Sequence, residues 1–80
     1  MRRNDLDIWA DILKAAKEET RKTHIVYSAN LNFKIAKKYF AKLIEHGFLK
    51  SRDIYYVITP EGEQFLEDYD KFLSPLRERW

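Results

Sequence analysis

The chain has 80 residues, of which 45% are apolar and 35% charged, with a net charge of +2 and no cysteine. This length allows one small domain, and two glycines and two prolines leave little room for long loops or disorder. The absence of cysteine excludes disulfides and thiolate metal sites, the apolar runs are too short to span a bilayer, and the N-terminus lacks the apolar core of a signal peptide. We expect an intracellular, mostly helical protein without a cofactor or a bound metal.

Positive charge is concentrated in the middle of the chain. Residues 1–31 carry six bases and five acids, residues 32–59 six bases and two acids, and residues 60–80 three bases and six acids. A local surplus of this kind is typical of a surface that attracts a polyanion, and the acidic last segment should then face elsewhere.

The first predicted element is an amphipathic helix near residues 5–18. Apolar side chains recur there at spacings of three and four, and Asn4 or Asp5 can cap the N-terminus. The polar run at residues 17–23 predicts a connection, after which residues 24–29 predict a short second helix started by Thr23. The β-favouring residues within that segment leave a strand as the alternative.

Residues 30–32 form the next break, and Asn32 can cap a third helix that runs to about His46. At about 100° per residue, one arc of this helix holds the apolar residues Phe33, Ala36, Phe40, Leu43 and Ile44. The opposite arc holds Lys34, Lys38, Ala41, Lys42 and Glu45, with Lys37 at its border. Gly47 stands where a residue with positive φ ends a helix.

A hairpin and a fourth helix complete the predicted elements. Two β-favouring runs at residues 48–50 and 54–58 predict antiparallel strands with Arg52 at the tip between them. Thr59 and Pro60 predict the cap and first residue of the last helix, over residues 60–80. We expect that helix to end or kink near Pro75, because proline lacks the amide that continues the hydrogen-bond ladder.

Four helices with a hairpin between the third and the fourth are the order of a winged helix-turn-helix domain, mainly α with a small β-hairpin, over residues 1–80. In that arrangement the third helix enters the major groove of double-stranded DNA, the hairpin lies along the backbone, and phosphate neutralisation supplies most of the affinity. The predicted DNA-binding residues are Lys22, Asn32, Lys34, Lys37, Lys38, Lys42, Lys50 and Arg52.

Two stretches also carry a resemblance to a known family. The run from Lys22 to Leu49 and the run YYVITPEGEQFL at residues 55–66 are similar to an archaeal winged-helix family of small chromatin-associated proteins and transcriptional regulators. The resemblance covers roughly residues 6–73. It implies DNA binding through the third helix and the wing, a nucleoid-associated place in the cytoplasm, and dimerisation by antiparallel pairing of the last helix. Pro75 departs from the long uninterrupted last helix of the chromatin-type relatives.

The last helix carries enough apolar side chains to contact both the domain's own core and a second subunit. Spacings of four and three are typical of a coiled-coil seam, so one stripe can cover the domain's own core while another meets a second subunit. The alternative is a helix that only packs on the first helix. The predicted dimerisation residues are Phe65, Tyr69, Phe72, Leu73 and Leu76.

Other functions fit the sequence less well. Asp7 and Asp11 share a helical face, but without a glycine-rich loop, metal-ligand spacing or a nearby histidine we expect a solvated acidic face and no enzyme. The exposed face of the third helix offers lysines and Asn32 but no Arg or Gln, which predicts modest sequence specificity. A winged-helix module that binds an acidic protein through the same patch is the alternative to DNA binding.

Overall fold

The computed structural model describes the backbone of residues 3–79 and the side chains of residues 3–73. It confirms the predicted winged helix-turn-helix architecture, with one strand more than the sequence indicated. Among the described residues, no helix has both the length and the apolarity needed to cross a membrane. The elements are α1 (Asp5–Ala15), β1 (Thr20–Arg21), α2 (Lys22–Ser28), α3 (Phe33–Glu45), β2 (Leu49–Arg52), β3 (Tyr55–Ile58) and α4 (Pro60–Arg79).

The additional strand is β1, which makes the wing a three-stranded antiparallel sheet of order β1-β3-β2. Thr20 lies opposite Tyr56, and Arg21 lies opposite Tyr55. The sequence predicted a connection here because a two-residue strand is too short to show the alternation that marks longer strands. Its pairing holds the segment between α1 and α2 against the sheet, and α2 follows as a helix and not as a strand.

The first helix begins as predicted and ends earlier. The Asn4 side chain accepts the Asp7 N–H at 2.9 Å, and the Asp7 carboxylate accepts the Asn4 N–H at 3.1 Å, a reciprocal capping box. Ala15 is the last helical residue, where residue 18 was expected. The carbonyl of Ala16 instead accepts the N–H of Ile58 at 2.8 Å, so β3 takes the group that a longer helix would use.

Both α2 and α3 end in the same way, with a residue of positive φ followed by a hydrogen bond back into the last turn. Asn30 has φ 55° and Gly47 has φ 77°. The N–H of the next residue, Leu31 or Phe48, donates to a carbonyl five residues earlier at 3.0 Å or 2.9 Å. These are Schellman caps, which satisfy helix carbonyls that have no partner within the helix.

The core lies between α1, α2, α3, the inner face of the sheet and the start of α4. On α3 the buried seam is narrower than predicted, because Phe33 and Ile44 are 53% and 41% exposed. Both lie near the helix ends, at the margin of the buried stripe. The buried residues are Ala10, Ile12, Leu13, Ala16, Ile25, Val26, Ala29, Ala36, Phe40, Leu43, Leu49, Ile58 and Leu66.

The last helix starts as the sequence predicted and continues beyond Pro75. The Gly62 N–H donates to the Thr59 hydroxyl at 3.0 Å, which confirms Thr59 as the cap before Pro60. The helix then runs through position 75 to Arg79, so the chain does not leave the helix there. Proline has a φ that suits a helix and removes a single hydrogen bond. A kink at Pro75 stays a prediction.

Candidate nucleic-acid interface

Asn32 fixes the start of α3, the helix expected to meet DNA. Its side-chain oxygen accepts the N–H of Ile35 at 2.8 Å, which confirms the predicted cap. Recognition of adenine by an asparagine uses the amide oxygen and nitrogen together. Because the cap engages the oxygen, Asn32 positions α3 and keeps mainly its amide N–H groups for an outside partner.

Arg3 holds the turn between α2 and α3 against α1. Its guanidinium donates to the carbonyls of Ala29 and Asn30 at 2.5 Å and 3.0 Å, and it pairs with Asp11 at 3.0 Å. The planar fork of arginine suits three simultaneous acceptors of this kind. One side chain therefore joins the turn before α3 to α1, and no pattern in the sequence indicated this role for Arg3.

A second contact joins α3 to the start of α1. The Tyr39 hydroxyl donates to the Asp5 carboxylate at 2.8 Å. This hydrogen bond, with some burial and the negative charge of Asp5, raises the pKa of Tyr39 above its ordinary value of 10.0. The phenol is neutral at physiological pH, so the contact persists there as a neutral donor to a carboxylate.

The far end of α3 is joined to the start of α4. The Thr59 hydroxyl, which caps α4, also donates to the Gly47 carbonyl at 2.5 Å, and the Thr59 N–H donates to the Phe48 carbonyl at 3.0 Å. Gly62 packs against the same place: a Cβ added there would overlap the Phe48 carbonyl and approach Ile58 Cγ1 to 2.7 Å. α3 is thus held near its middle by α1, through Tyr39 and Asp5, and just beyond its last turn by the residue that caps α4.

The outward face of α3 is basic, with four lysines and the exposed Glu45 at its end. Lys34, Lys37, Lys38 and Lys42 are all exposed. Among residues 3–73, whose side chains are described, none of these four lies within ion-pairing distance of a carboxylate. The sequence prediction of four solvent-facing cations on one rigid helix agrees with this geometry, although their contact with a nucleic acid stays a prediction.

Lys22 is placed differently from the α3 lysines. It begins α2, is partly buried, and its ammonium lies 6.0 Å from the centre of the Phe40 ring. A cation over an aromatic face at this distance is held by the ring's quadrupole and by contact of its methylene stem. Lys22 therefore flanks the basic face from a fixed position.

The sequence predicted Arg52 at the tip of the wing. The structure places it instead at the end of β2. The turn consists of Asp53 and Ile54, and Asp53 has φ 57°. Arg52 pairs across the ladder with Tyr55 and lies 3.7 Å from the carboxylate of Glu19. A two-residue turn replaced the expected three-residue one because Asp tolerates the left-handed conformation that such a turn requires.

The sheet register creates a basic row that the sequence alone did not reveal. Arg21 on β1 and Arg52 on β2 both lie opposite Tyr55 on β3, so the three side chains project from the same face. The Arg21 guanidinium lies 5.9 Å from the centre of the Tyr55 ring. Lys50, two residues before Arg52 on the same strand, is exposed on that face as well. Only the pairing of β1 could have pointed to Arg21.

The predicted dimerisation residues of α4 differ in their exposure. Phe65 and Tyr69 are partly buried and pack within the chain, in an aromatic cluster with Trp9 and Phe48. Phe72 is 72% exposed, the most of any apolar side chain on the described part of α4. Leu73 is partly buried and Leu76 lies outside the described side chains.

The two aspartates of α1 that share a face are engaged in structural contacts. Asp7 accepts hydrogen bonds from the Tyr69 hydroxyl and the Asn4 N–H, and Asp11 pairs with Arg3. The Tyr69 hydrogen bond first, then the Asn4 hydrogen bond and the charge of Arg3, hold the pKa of Asp7 below its ordinary value of 3.8. Both carboxylates therefore link α1 to its neighbours: Asp7 to α4 and Asp11 to the arginine that holds the turn.

A winged helix-turn-helix family model matches residues 2–76 of the chain. The protein belongs to this winged helix-turn-helix family. The match spans the turn before α3, the wing and most of α4, which are the parts described above.

Relatives come from archaea. The chain is 38% identical over 72 residues to the uncharacterized protein MJ0290 of Methanocaldococcus jannaschii. The matched region covers 89% of this chain but 34% of that protein. It is 34% identical over 64 residues to the uncharacterized protein MJ0287 of the same organism, covering 79% of this chain and 66% of that protein. The chain thus corresponds to only part of each of these relatives.

A solved structure has the same fold over nearly the whole chain. The crystal structure of Sso10a-2 from Sulfolobus solfataricus, which is described as a DNA-binding protein, superposes with a TM-score of 0.82 and 28% sequence identity. The superposition covers 96% of this chain and 84% of that one. The path of α3 and the wing is therefore shared with that winged-helix protein.

Proposed function

We propose that this protein binds double-stranded DNA, with α3 in the major groove and the wing along the backbone. The observation that carries the proposal is the face of four exposed lysines on α3, none of which forms an ion pair with a described carboxylate. Its membership in a winged helix-turn-helix family and its similarity to a protein described as DNA-binding support the same reading. Phosphate neutralisation by these lysines supplies the affinity.

The wing supplies flanking phosphate contacts. Lys50 and the Arg21–Tyr55–Arg52 row form one basic face of the sheet. Arg52 is 73% exposed despite its contact with Glu19, so it can exchange that carboxylate for a phosphate. Lys22, which follows Arg21 in the chain, adds a further phosphate contact. The set Lys22, Asn32, Lys34, Lys37, Lys38, Lys42, Lys50 and Arg52, extended by Arg21, is the proposed interface.

The biological role is that of a transcriptional regulator or a chromatin-like architectural protein in the cytoplasm, bound to the nucleoid. We further propose that it acts as a homodimer through α4, for which the exposed Phe72 is the support within the described chain. Because α3 carries lysine but neither Arg nor Gln, few of its side chains can form two hydrogen bonds with one base. Affinities for unrelated 20-base-pair duplexes at fixed salt should therefore differ by less than about a thousandfold.

The test is the salt dependence of binding. Replacing Lys37 and Lys38 by Ala should weaken binding to every duplex and lower the slope of log affinity against log salt by roughly two units, about one per lost phosphate contact. The matched control replaces Lys14 and Lys71, which removes the same charge from α1 and α4 and should leave the slope unchanged.

Two outcomes would count against the proposal. An unchanged slope in the Lys37 and Lys38 variant means that α3 is not the binding face. Absence of duplex retardation at physiological salt by the unaltered protein favours the alternative function, a winged-helix module that binds an acidic protein through the same patch.

A further inference from the structure

The first turn of α3 exposes two large apolar side chains among its lysines. Phe33 is 53% exposed and Ile35 is 44% exposed, although both belong to the helix whose other side forms the core. Lys34 lies between them in sequence. An apolar side chain on a rigid, capped helix end gains free energy when a partner covers it.

The two side chains are held in place by the cap. The Ile35 N–H donates the hydrogen bond that the Asn32 side chain accepts. Ala36, the next residue, is completely buried. Ile35 also shares a shallow groove of about 240 Å³ with Lys38, Lys42, Tyr39 and Asp5, whose carboxylate accepts the Tyr39 hydroxyl. Two ammonium groups against one carboxylate leave the groove basic. An apolar contact point therefore lies beside cations that would hold phosphates, and the occupant that fits is an anionic molecule with an apolar edge.

DNA offers such an edge in the major groove. Thymine presents its 5-methyl group there, and apolar side chains are the groups that contact it. In helix-turn-helix proteins the N-terminal residues of the recognition helix are the ones that reach base edges. On the first turn of α3, Asn32 has its oxygen engaged by the cap and Lys34 is suited to guanine, so the exposed apolar side chains are the groups there that can contact thymine.

Resting on the proposed DNA binding, we infer that Phe33 and Ile35 determine a preference for thymine by contact with its 5-methyl groups. Residues two apart on a helix face different directions, so the two side chains meet different base pairs. Each contacted methyl should contribute about fourfold in affinity, the value of burying one methyl group. A gain of this size agrees with modest sequence specificity, with thymine as the preferred base and Phe33 and Ile35 as the residues that distinguish it.

The experiment compares two duplexes of alternating A·T pairs with identical G·C ends, one containing thymidine and the other deoxyuridine throughout. The hydrogen-bonding edges and charges are the same, and only the methyl groups differ. The unaltered protein should bind the thymidine duplex about 4- to 16-fold more tightly, for one or two contacted methyls, in fluorescence anisotropy at fixed salt. The Phe33→Ala/Ile35→Ala variant should bind both duplexes equally.

Ile44→Ala is the matched control, because it removes an exposed apolar side chain from the other end of α3 and should keep the thymidine preference. A second measurement does not depend on variants: 5-methylcytosine, which places a methyl at the same position of the groove, should tighten binding to a G·C duplex. Far-UV circular dichroism checks that the variants fold.

Each result decides a different point. Equal affinity of the unaltered protein for both duplexes overturns the inference and leaves the proposed DNA binding intact. A preference that persists in the double variant shows that the methyl groups act through the shape of the DNA itself, and it overturns the assignment to Phe33 and Ile35. No binding to either duplex at low salt overturns the proposed function and the inference with it.

Discussion

Arg3 shows how much of the geometry of the turn between α2 and α3 depends on a single side chain. Its contacts reach two carbonyls of the turn and one carboxylate of α1, and Ala29, the first of these carbonyl residues, is buried. A carbonyl at a helix end that loses its donor is left partly unsatisfied. The turn between α2 and α3 should therefore be the part of the fold most sensitive to this residue.

We expect Arg3→Ala to lower the free energy of unfolding by about 1 kcal/mol, a value reduced for the exposure of the side chain. The Leu31 amide, whose hydrogen bond closes the turn, should exchange with solvent faster. Urea unfolding and amide exchange measure the two effects. Arg3→Lys should fall between, because one ammonium cannot replace the fork, and Lys17→Ala, which removes an exposed charge elsewhere, should change neither quantity.

Asp7 links stability to acid pH. The Tyr69 and Asn4 hydrogen bonds lower the pKa of Asp7 in the folded protein. The ionised carboxylate therefore stabilises the fold at pH values above 3.8, the ordinary pKa of the group. This stabilisation is lost as the pH falls through the lower, folded pKa. In an NMR titration, Tyr69→Phe should move the pKa of Asp7 back towards 3.8, whereas Tyr55→Phe, on the outer face of the sheet, should not. A pKa of 3.8 or more in the unaltered protein would contradict this account.

At the scale of elements, the two glycines test different constraints. Gly47 has φ 77° with open space around it, so Gly47→Ala should cost about 1–2 kcal/mol through the backbone alone. Gly62 is helical, and alanine there would by itself gain about 0.5–1 kcal/mol. Its Cβ, however, would overlap the Phe48 carbonyl, so we expect net destabilisation as α4 moves from the sheet.

Urea unfolding of both variants measures this contrast. Gly47→Asn should cost less than Gly47→Ala, because asparagine tolerates positive φ, as Asn30 already does at the end of α2. No asparagine or other side chain should be tolerated at position 62. A Gly62→Ala variant more stable than the unaltered protein would show that α4 is not packed closely on Phe48.

The sequence predicted those elements whose signals are local. Caps at Asn4, Asn32 and Thr59 and the glycine stop at Gly47 depend on one to four neighbouring residues, and all are confirmed. The strand β1 was missed because its pairing with Tyr55 and Tyr56 is more than thirty residues distant in the chain.

The parts of the candidate site that were missed have the same origin. Arg21 and Arg3 depend on contacts with β3 and with the turn, which no spacing in the sequence encodes. Phe33 and Ile44 were placed in the core because helical periodicity gives the direction of a side chain but not how far the neighbouring elements extend. The lysines of α3 were predictable because a solvated face needs no partner.

At the scale of the whole molecule, α4 carries charge opposite to that of α3. Its described part is acidic, with Glu61, Glu63, Glu67, Asp68 and Asp70. A polyanion at the basic face would be repelled by α4, which leaves α4 available to a second subunit. The helix has 20 residues, or about 30 Å, and this is long enough for an antiparallel seam even though Phe65 and Tyr69 are used within the protomer.

The dimer is tested at Phe72, the most exposed apolar side chain of the described part of α4. Phe72→Gln removes the apolar contact without adding charge, and its exposure predicts no loss of folding. Sedimentation should show the unaltered protein as a concentration-dependent dimer and the variant as a monomer. Ile54→Gln, which changes an exposed residue of the wing turn in the same way, should stay dimeric.

Loss of the dimer should also weaken DNA binding, because two linked basic faces on one duplex gain from a high effective concentration. We expect the affinity of Phe72→Gln for a 40-base-pair duplex to fall about a hundredfold, while its affinity for a duplex that fits one protomer hardly changes. The comparison of the two duplex lengths separates avidity from damage to the binding face. If the unaltered protein sediments as a monomer at every concentration and shows no gain on the longer duplex, α4 closes the protomer's own core and Phe72 has another use.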